Sequence, residues 1–155
     1  MWNPHPPLDR TSAAWRTWAD GHPVSVAMGL VCADADADSV TMTLAEPPLP
    51  NPNGSMHGGM LAAALDQALA FASLRAMPDG ALPNTASMHV QYLRPALAPL
   101  TLRARVMKTG QAMIFVRGEV EDREGRVCTT GDATFAVIEA GHATRELPLR
   151  SVQGG

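Results

Sequence analysis

One carboxylate lies inside the longest apolar run of the sequence. Asp66 falls within residues 60–72, which are otherwise mostly alanine, leucine and methionine. Aspartate is unfavourable inside a helix, and a buried carboxylate without a partner has a raised pKa. Asp66 is therefore a candidate general base or nucleophile. Two other interpretations stay open, a solvent-facing aspartate beside Gln67 or a structural partner for an arginine.

Residues 60–72 carry the pattern of a helix. Alanine, leucine and methionine are good helix formers, and Leu61, Leu65 and Leu69 recur at helical spacing. The opposite face holds alanines, so the helix is apolar all round, which predicts that it is buried. The run is shorter than the roughly 20 residues that a membrane-spanning helix needs.

A polar, glycine-rich loop leads into this helix. The first N–H groups of a helix have no internal partner, so those of Gly58 and Gly59 could stabilise an oxyanion. A simple glycine turn is the alternative. His57 could polarise the site, although we favour a structural role in which it holds the loop by a backbone hydrogen bond. Asn51 could donate a hydrogen bond to a substrate carbonyl, or it could be a turn residue.

The remainder of the chain has mainly strand patterns around this helix. A short helix is predicted at residues 9–20, and strands at 24–32, 40–44, 85–93, 100–108, 111–121 and 127–138. The last four strands have short turns typical of an antiparallel meander, with Gly131 as a possible bulge. The pattern predicts one α+β domain, with an N-terminal extension and helix (1–22), a core (23–139) and a loose tail (140–155).

Composition and charge exclude several classes of protein. The length of 155 residues fits one domain, and the net charge of −3 gives no general attraction to nucleic acid. Cys32 and Cys128 form neither a disulfide framework nor a zinc-site spacing, so we expect both to be reduced and buried. The N-terminus has no signal-peptide pattern, which predicts a cytoplasmic protein.

No metal site is predicted. The five histidines are scattered without ligand spacing. Asp34, Asp36 and Asp38 have the spacing that begins a calcium loop, but Ser39 replaces the glycine that such a loop requires. We therefore interpret residues 34–38 as a solvated hairpin turn.

Two motifs together resemble one enzyme family. The pattern Asn51-x-x-Gly54-x-x-His57-Gly58-Gly59, followed by Leu65-Asp66, is similar to that of hotdog-fold acyl-CoA thioesterases of the phenylacetate-pathway (PaaI-like) type. Tyr92-Leu93-Arg94-Pro95 resembles a strand end common in that family. The resemblance covers residues 24–139 and implies a hotdog fold, with one long helix wrapped by a curved antiparallel sheet of about six strands. It also implies a homodimer or homotetramer.

The resemblance implies hydrolysis of an acyl- or aryl-CoA thioester at the dimer interface. One subunit would supply Asn51 and the Gly58 N–H, and the other would supply Asp66. Coenzyme A is part of the substrate, so no separate cofactor is expected. Thr85 matches a hydroxyl residue that assists the carboxylate in related enzymes, although an ordinary strand threonine is the interpretation that we favour. Whether Asp66 acts as base or nucleophile stays open.

Substrate-binding residues are predicted from charge and side-chain type. Arg94, Arg117 and Arg126 are candidates for the coenzyme A phosphates. Apolar residues that could line an acyl pocket, or simply belong to the core, are Met56, Met60, Met88, Trp15 and Trp18. Three rival functions remain: a hotdog enoyl-CoA hydratase or dehydratase, a non-catalytic acyl-CoA binder, and a structural domain with a salt-bridged Asp66.

Overall fold

The computed structural model describes residue 3 and residues 5–139, so the predicted loose tail (140–155) lies outside the described residues. In chain order the elements are α1 (Ser12–Asp20), α2 (Pro23–Met28), β1 (Leu30–Ala35), β2 (Ser39–Leu44), α3 (Gly58–Arg75), β3 (Ala81–Tyr92), β4 (Leu100–Thr109), β5 (Met113–Glu121) and β6 (Val127–Glu139). The strands form one antiparallel sheet, and α3 packs across one of its faces. The predicted hotdog-type α+β fold is confirmed.

The strand order corrects the predicted four-strand meander. The order is β1-β2-β4-β5-β6-β3, so only β4, β5 and β6 form a meander. β3 lies at the far edge beside β6 because residues 93–99 carry the chain past the ends of β5 and β6. Backbone N–H groups of Leu93 and Arg123 donate to Cys128 and Leu97 along this crossing. One edge of β3 therefore has no strand beside it within the described residues.

Two sheet glycines let α3 lie close to the strands. A Cβ atom at Gly131 would lie 2.7 Å from the Leu65 side chain, and one at Gly118 would lie 2.9 Å from it. Both distances are too short for a side chain. Gly131 pairs regularly with Val90 and Gly118, so the predicted bulge at Gly131 is wrong. The β3–β6 irregularity lies between Thr85 and Ser87.

The N-terminal region differs from the predicted strand at 24–32. Residues 23–28 form α2, because the His22 side chain caps its first turn and Pro23 suits the start of a helix. The helix ends at Gly29, whose φ of 71° favours glycine. The strand begins only at Leu30. The predicted helix at 9–20 starts later, at Ser12, because Thr11 is its N-cap.

α3 is longer than predicted, and one side of it is accessible. It runs from Gly58 to Arg75, whereas the sequence predicted residues 60–72. Most of its apolar side chains are buried, but Gly59 and Ala63 are exposed and Asp66 and Ala70 are half-buried. The helix is therefore not buried all round.

Buried contacts of Arg75 hold the N-terminal segment against the end of α3. Its guanidinium donates to the carbonyl oxygens of Arg10 and Asp36 and lies 4.7 Å from the Trp15 ring centroid. Arg10 in turn donates to the carbonyl oxygens of Arg75 and Met77. These contacts fix α1 beside α3.

Two smaller predictions are confirmed. The turn between β1 and β2 is a hairpin, in which the Asp36 N–H donates to the Ser39 carbonyl. Cys32 and Cys128 are free thiols and both are buried. Over the part of the chain that is described, none of the helices has the length and apolar character needed to cross a membrane.

Candidate active site

Asp66 lies two turns into α3 and faces the edge strand β3. The Thr85 hydroxyl donates a hydrogen bond to Asp66 Oδ1 at 3.0 Å. Thr85 points toward α3 because its partner in the β3–β6 register is the fully buried Phe135. An ordinary strand threonine is the interpretation that the sequence favours, whereas the structure joins the Thr85 hydroxyl to the carboxylate.

Burial raises the pKa of the Asp66 carboxyl, and the Thr85 hydrogen bond offsets part of that increase. Among residues 5–139, no lysine, arginine or histidine forms an ion pair with Asp66. The structural interpretation with a salt-bridged Asp66 therefore gains no support. A half-buried carboxylate with one neutral donor is the arrangement expected of a base or nucleophile.

The N-terminus of α3 is capped by its own histidine. His57 Nδ1 accepts a hydrogen bond from the Gly59 N–H at 3.1 Å, as the favoured structural role requires. The Gly59 N–H is therefore occupied. The Gly58 N–H has no acceptor among the residues that the structure describes, so it is free to bind an oxyanion. Tyr92 fixes this turn by donating its hydroxyl to the Gly58 carbonyl at 2.8 Å.

Asn51 belongs to the loop that precedes α3. Its side-chain amide donates to Ser55 Oγ at 3.2 Å and to the Met56 carbonyl at 3.3 Å. Both N–H bonds of the amide are thereby used. This geometry favours a role in holding the loop over direct donation to a substrate.

A cleft of about 280 Å³ opens at the start of α3. Asn51, Gly58, Tyr92 and Arg94 line it. Arg94 is exposed and has no acidic partner in the described part of the chain. One of the predicted cations, Arg94, therefore lines the same cleft as Gly58.

The other two predicted cations are engaged elsewhere. Arg117 forms an ion pair with Asp132 at 2.7 Å on the sheet face opposite α3. Arg126 pairs with Asp122 at 2.9 Å and with Glu124 at 2.9 Å in the β5–β6 turn. Arg117 is therefore separated from Asp66 by the sheet.

The predicted apolar contacts divide into two groups: Trp15 and Met56 are buried in the core, whereas Trp18, Met60 and Met88 are half-buried. Met60 and Met88 both pack against the core, and Met88 faces α3 because it pairs with the buried Ala133. Met88 therefore lies on the same side of β3 as Thr85, whereas Met60 lies in the first turn of α3.

Comparison with known proteins identifies the family. A family model named Thioesterase superfamily matches residues 53–129. A structure from Ralstonia eutropha JMP134, described as a candidate thioesterase and phenylacetic acid degradation-related protein, is 32% identical, covers 76% of this chain and 95% of its own, and has a TM-score of 0.69. The chain belongs to the thioesterase superfamily. The predicted PaaI-like hotdog type is confirmed.

Two further structures share the fold at lower identity. A thioesterase from Haemophilus influenzae is 18% identical, with a TM-score of 0.76 and coverage of 90% of this chain and 96% of that chain. The E. coli PaaI protein from the phenylacetic acid degradation operon is 21% identical, with a TM-score of 0.71 and coverage of 79% and 88%. No curated protein sequence matches.

Some residues near the site were not singled out by the sequence, and two helices lie outside the family match. Tyr92 stands out in the sequence only as part of a motif, and nothing in the sequence predicts that its hydroxyl holds Gly58. Gln67 stands out only as a neighbour of Asp66. A polar residue next to a carboxylate within an apolar run was the available signal. The helices α1 and α2 precede residue 53, where the family match begins.

Proposed function

We propose that this thioesterase hydrolyses an acyl- or aryl-CoA thioester with Asp66 as general base or nucleophile. The observation that carries the proposal is the half-buried Asp66 carboxylate, whose described hydrogen bond comes from Thr85. Its raised pKa, caused by burial, makes the carboxylate a stronger base than an exposed one. Either water activated by Asp66 or Asp66 itself attacks the thioester carbonyl.

The oxyanion donor is the Gly58 N–H, but not that of the same chain. Asp66 follows Gly58 by eight residues, which corresponds to about 12 Å along a helix. One carbonyl group cannot contact both positions of one α3. A complete site therefore needs the Gly58 N–H of the partner subunit, and an oxyanion donor of this kind contributes a few kcal/mol.

The edge strand β3 offers the route to such a dimer. α3 runs antiparallel to β3, since Tyr92 at the end of β3 bonds Gly58 and Thr85 bonds Asp66. If β3 pairs antiparallel with β3 of a second copy, the partner's Tyr92–Gly58 junction lies opposite the first half of β3, beside Asp66. β3 is 12 residues long, and no strand of the described residues lies beside its outer edge, so the edge is long enough to form a continuous sheet with a second copy.

Release of free thiol from a panel of acyl-CoAs tests the reaction. Wild type should release coenzyme A, Asp66→Asn should not, and the matched control Asp38→Asn in the exposed hairpin should behave as wild type. Full activity of Asp66→Asn would contradict the assignment of Asp66. Hydration of an enoyl-CoA without thiol release would instead identify a hydratase, and tight binding without any turnover would identify an acyl-CoA binder.

A mixing experiment tests the shared site. Asp66→Asn and Gly58→Ala proteins are unfolded together, refolded together and assayed. About half of the dimers then contain one chain of each variant. Each such dimer holds one intact site of two, so activity should recover to about a quarter of wild type. No recovery from a mixture that contains mixed dimers would contradict a site built from two chains.

A further inference from the structure

The first helix covers one edge of the sheet with polar side chains. β1 is the edge strand opposite β3, and α1 packs against it. Ser12, Arg16 and Asp20 of α1 are spaced by four residues, so their side chains lie along one face of the helix. All three form hydrogen bonds with the backbone of β1. We call these three residues the edge stripe.

The edge stripe occupies hydrogen-bonding groups that a neighbouring strand would otherwise use. The Cys32 N–H donates to Asp20 Oδ1 at 2.6 Å, and Arg16 Nε donates to the Cys32 carbonyl at 3.1 Å. Further along β1, the Ala35 N–H donates to Ser12 Oγ at 3.2 Å. An acceptor and a donor on the same residue are what an added antiparallel strand gives to an edge residue. α1 therefore takes the place of an additional strand.

Burial of Cys32 makes the edge stripe necessary for this arrangement. Cys32 is 0% exposed, so its N–H and carbonyl do not reach water while α1 is in place. Without the edge stripe both groups would be buried without partners, which is unfavourable. They would regain partners only if α1 moved away and water or another strand replaced it. The edge stripe therefore keeps α1 on β1.

The two edges of the sheet differ in this respect. Within the described residues, no strand lies beside the outer edge of β3, whereas the outer edge of β1 is occupied by α1. A sheet with one open edge can add one copy of itself and then closes as a two-fold dimer. A sheet with two open edges can add copies without limit. The number of open edges thus determines whether assembly ends.

We propose that the edge stripe closes a second self-association surface, the outer edge of β1, whose partner is β1 of another copy of this chain. With β1 closed, pairing through β3 gives a dimer that cannot extend. With β1 open, such dimers join through β1 into open chains. The size of the wild-type assembly rests on the proposed β3 pairing, but the closure of β1 does not. α1 and β1 precede residue 53, where the family match begins, so that match assigns the helix no role.

Hydrogen exchange and analytical ultracentrifugation test this role on the full chain. The Arg16→Met/Asp20→Leu protein lacks both the donor and the acceptor for Cys32. At low concentration its Cys32 amide should exchange at least about tenfold faster than in wild type, since a hydrogen bond to a charged group is lost. At high concentration its average mass should rise at least about twofold above that of wild type, because pairing of two β1 edges joins two assemblies. The Cys32 amide should then be protected again.

Two controls separate the hydrogen bonds from the effects of charge and of added apolar surface. Asp20→Asn removes the charge but keeps a carbonyl acceptor for the Cys32 N–H, so it should sediment as wild type does. Arg105→Met/Asp38→Leu makes the same two changes at an exposed ion pair between β4 and the β1–β2 hairpin. This protein should also keep the wild-type mass.

The outcomes distinguish pairing of β1 from other association. A mass that stays at the wild-type value in the folded Arg16→Met/Asp20→Leu protein would overturn the inference. A rise in mass without renewed protection of Cys32 would also overturn it, because association would then use another surface. If this protein does not fold, Asp20→Leu alone makes the same comparison. Absence of thiol release from every protein would refute the proposed reaction while leaving the test of β1 intact.

Discussion

The Tyr92 hydroxyl donates a hydrogen bond to the Gly58 carbonyl at 2.8 Å and so joins the end of β3 to the start of α3. This bond fixes the turn that presents the Gly58 N–H to the cleft. A Cβ atom at position 58 would lie 3.6 Å from the Tyr92 ring, an ordinary contact distance. A small side chain at position 58 therefore fits the fold, so an effect of Gly58→Ala on activity can be attributed to the site.

Gly58→Ala should fold but lose activity. The added methyl group fits beside Tyr92, yet it obstructs the close approach of a thioester carbonyl to the N–H. We expect kcat/KM to fall at least about tenfold, since loss of one oxyanion donor costs more than that. Thermal unfolding and steady-state kinetics measure both properties on the same sample. Unchanged kcat/KM in the folded variant would exclude Gly58 as the oxyanion site.

Asp66→Asn should stabilise the protein at neutral pH. Burial raises the pKa of Asp66 in the folded state, so folding favours the protonated carboxyl. Wild type therefore loses stability as pH rises from the ordinary carboxyl pKa through the raised one. We expect the variant to have a higher Tm than wild type at pH 7, and the difference to vanish at acid pH below the ordinary pKa.

The Asp38→Asn protein serves as the control, because Asp38 is exposed in the hairpin. Its Tm should follow that of wild type at each pH. A salt-bridged Asp66 predicts the opposite sign, with Asp66→Asn less stable at pH 7 than wild type.

The sequence predicted α3 and most of the sheet because these elements depend on local patterns. The position of β3 at the far edge depends on where residues 93–99 carry the chain, which no local pattern specifies. The contact between Thr85 and Asp66 was likewise not predictable from spacing. It requires the irregularity between Thr85 and Ser87, which places both Thr85 and Met88 on the side of α3. α2 was missed because valines suggested a strand, although His22-Pro23 and Gly29 are ordinary helix-end signals.

Thr85→Val should lower activity and shift its pH dependence. The hydroxyl donates to Asp66 Oδ1 at 3.0 Å and opposes the effect of burial, so its removal raises the pKa of Asp66 further. Because the carboxylate form is required, the acid limb of the pH–kcat/KM profile should move to higher pH. The loss in kcat/KM at neutral pH should be about tenfold, as for a hydrogen bond to a charged group.

Thr134→Val is the matched control for this change. Thr134 lies on the neighbouring strand β6 and pairs with Ser87 on the face away from α3. Its pH profile should coincide with that of wild type. If the pH profile of Thr85→Val also coincides with that of wild type, the Thr85 hydrogen bond does not influence the protonation of Asp66 during the reaction.

Gly131→Ala should destabilise the fold through α3. The new Cβ would lie 2.7 Å from Leu65, which is fully buried and cannot move into solvent. Overpacking of this kind costs about 1–3 kcal/mol of unfolding free energy, which urea denaturation measures. Addition of Leu65→Val should recover part of the loss, because the shorter side chain relieves the contact. Additive losses in the double variant would contradict this contact as the cause.

Arg94→Ala should weaken substrate binding more than chemistry. Arg94 lines the cleft beside Gly58 and has no acidic partner among the described residues, so its guanidinium can bind the coenzyme A phosphates. We expect KM for an acyl-CoA to rise about tenfold with little change in kcat, since such a contact is worth about 1.5–3 kcal/mol. Arg117→Ala, on the opposite sheet face and paired with Asp132, should leave KM unchanged. A rise in KM for Arg117→Ala instead would place the phosphates on that opposite face.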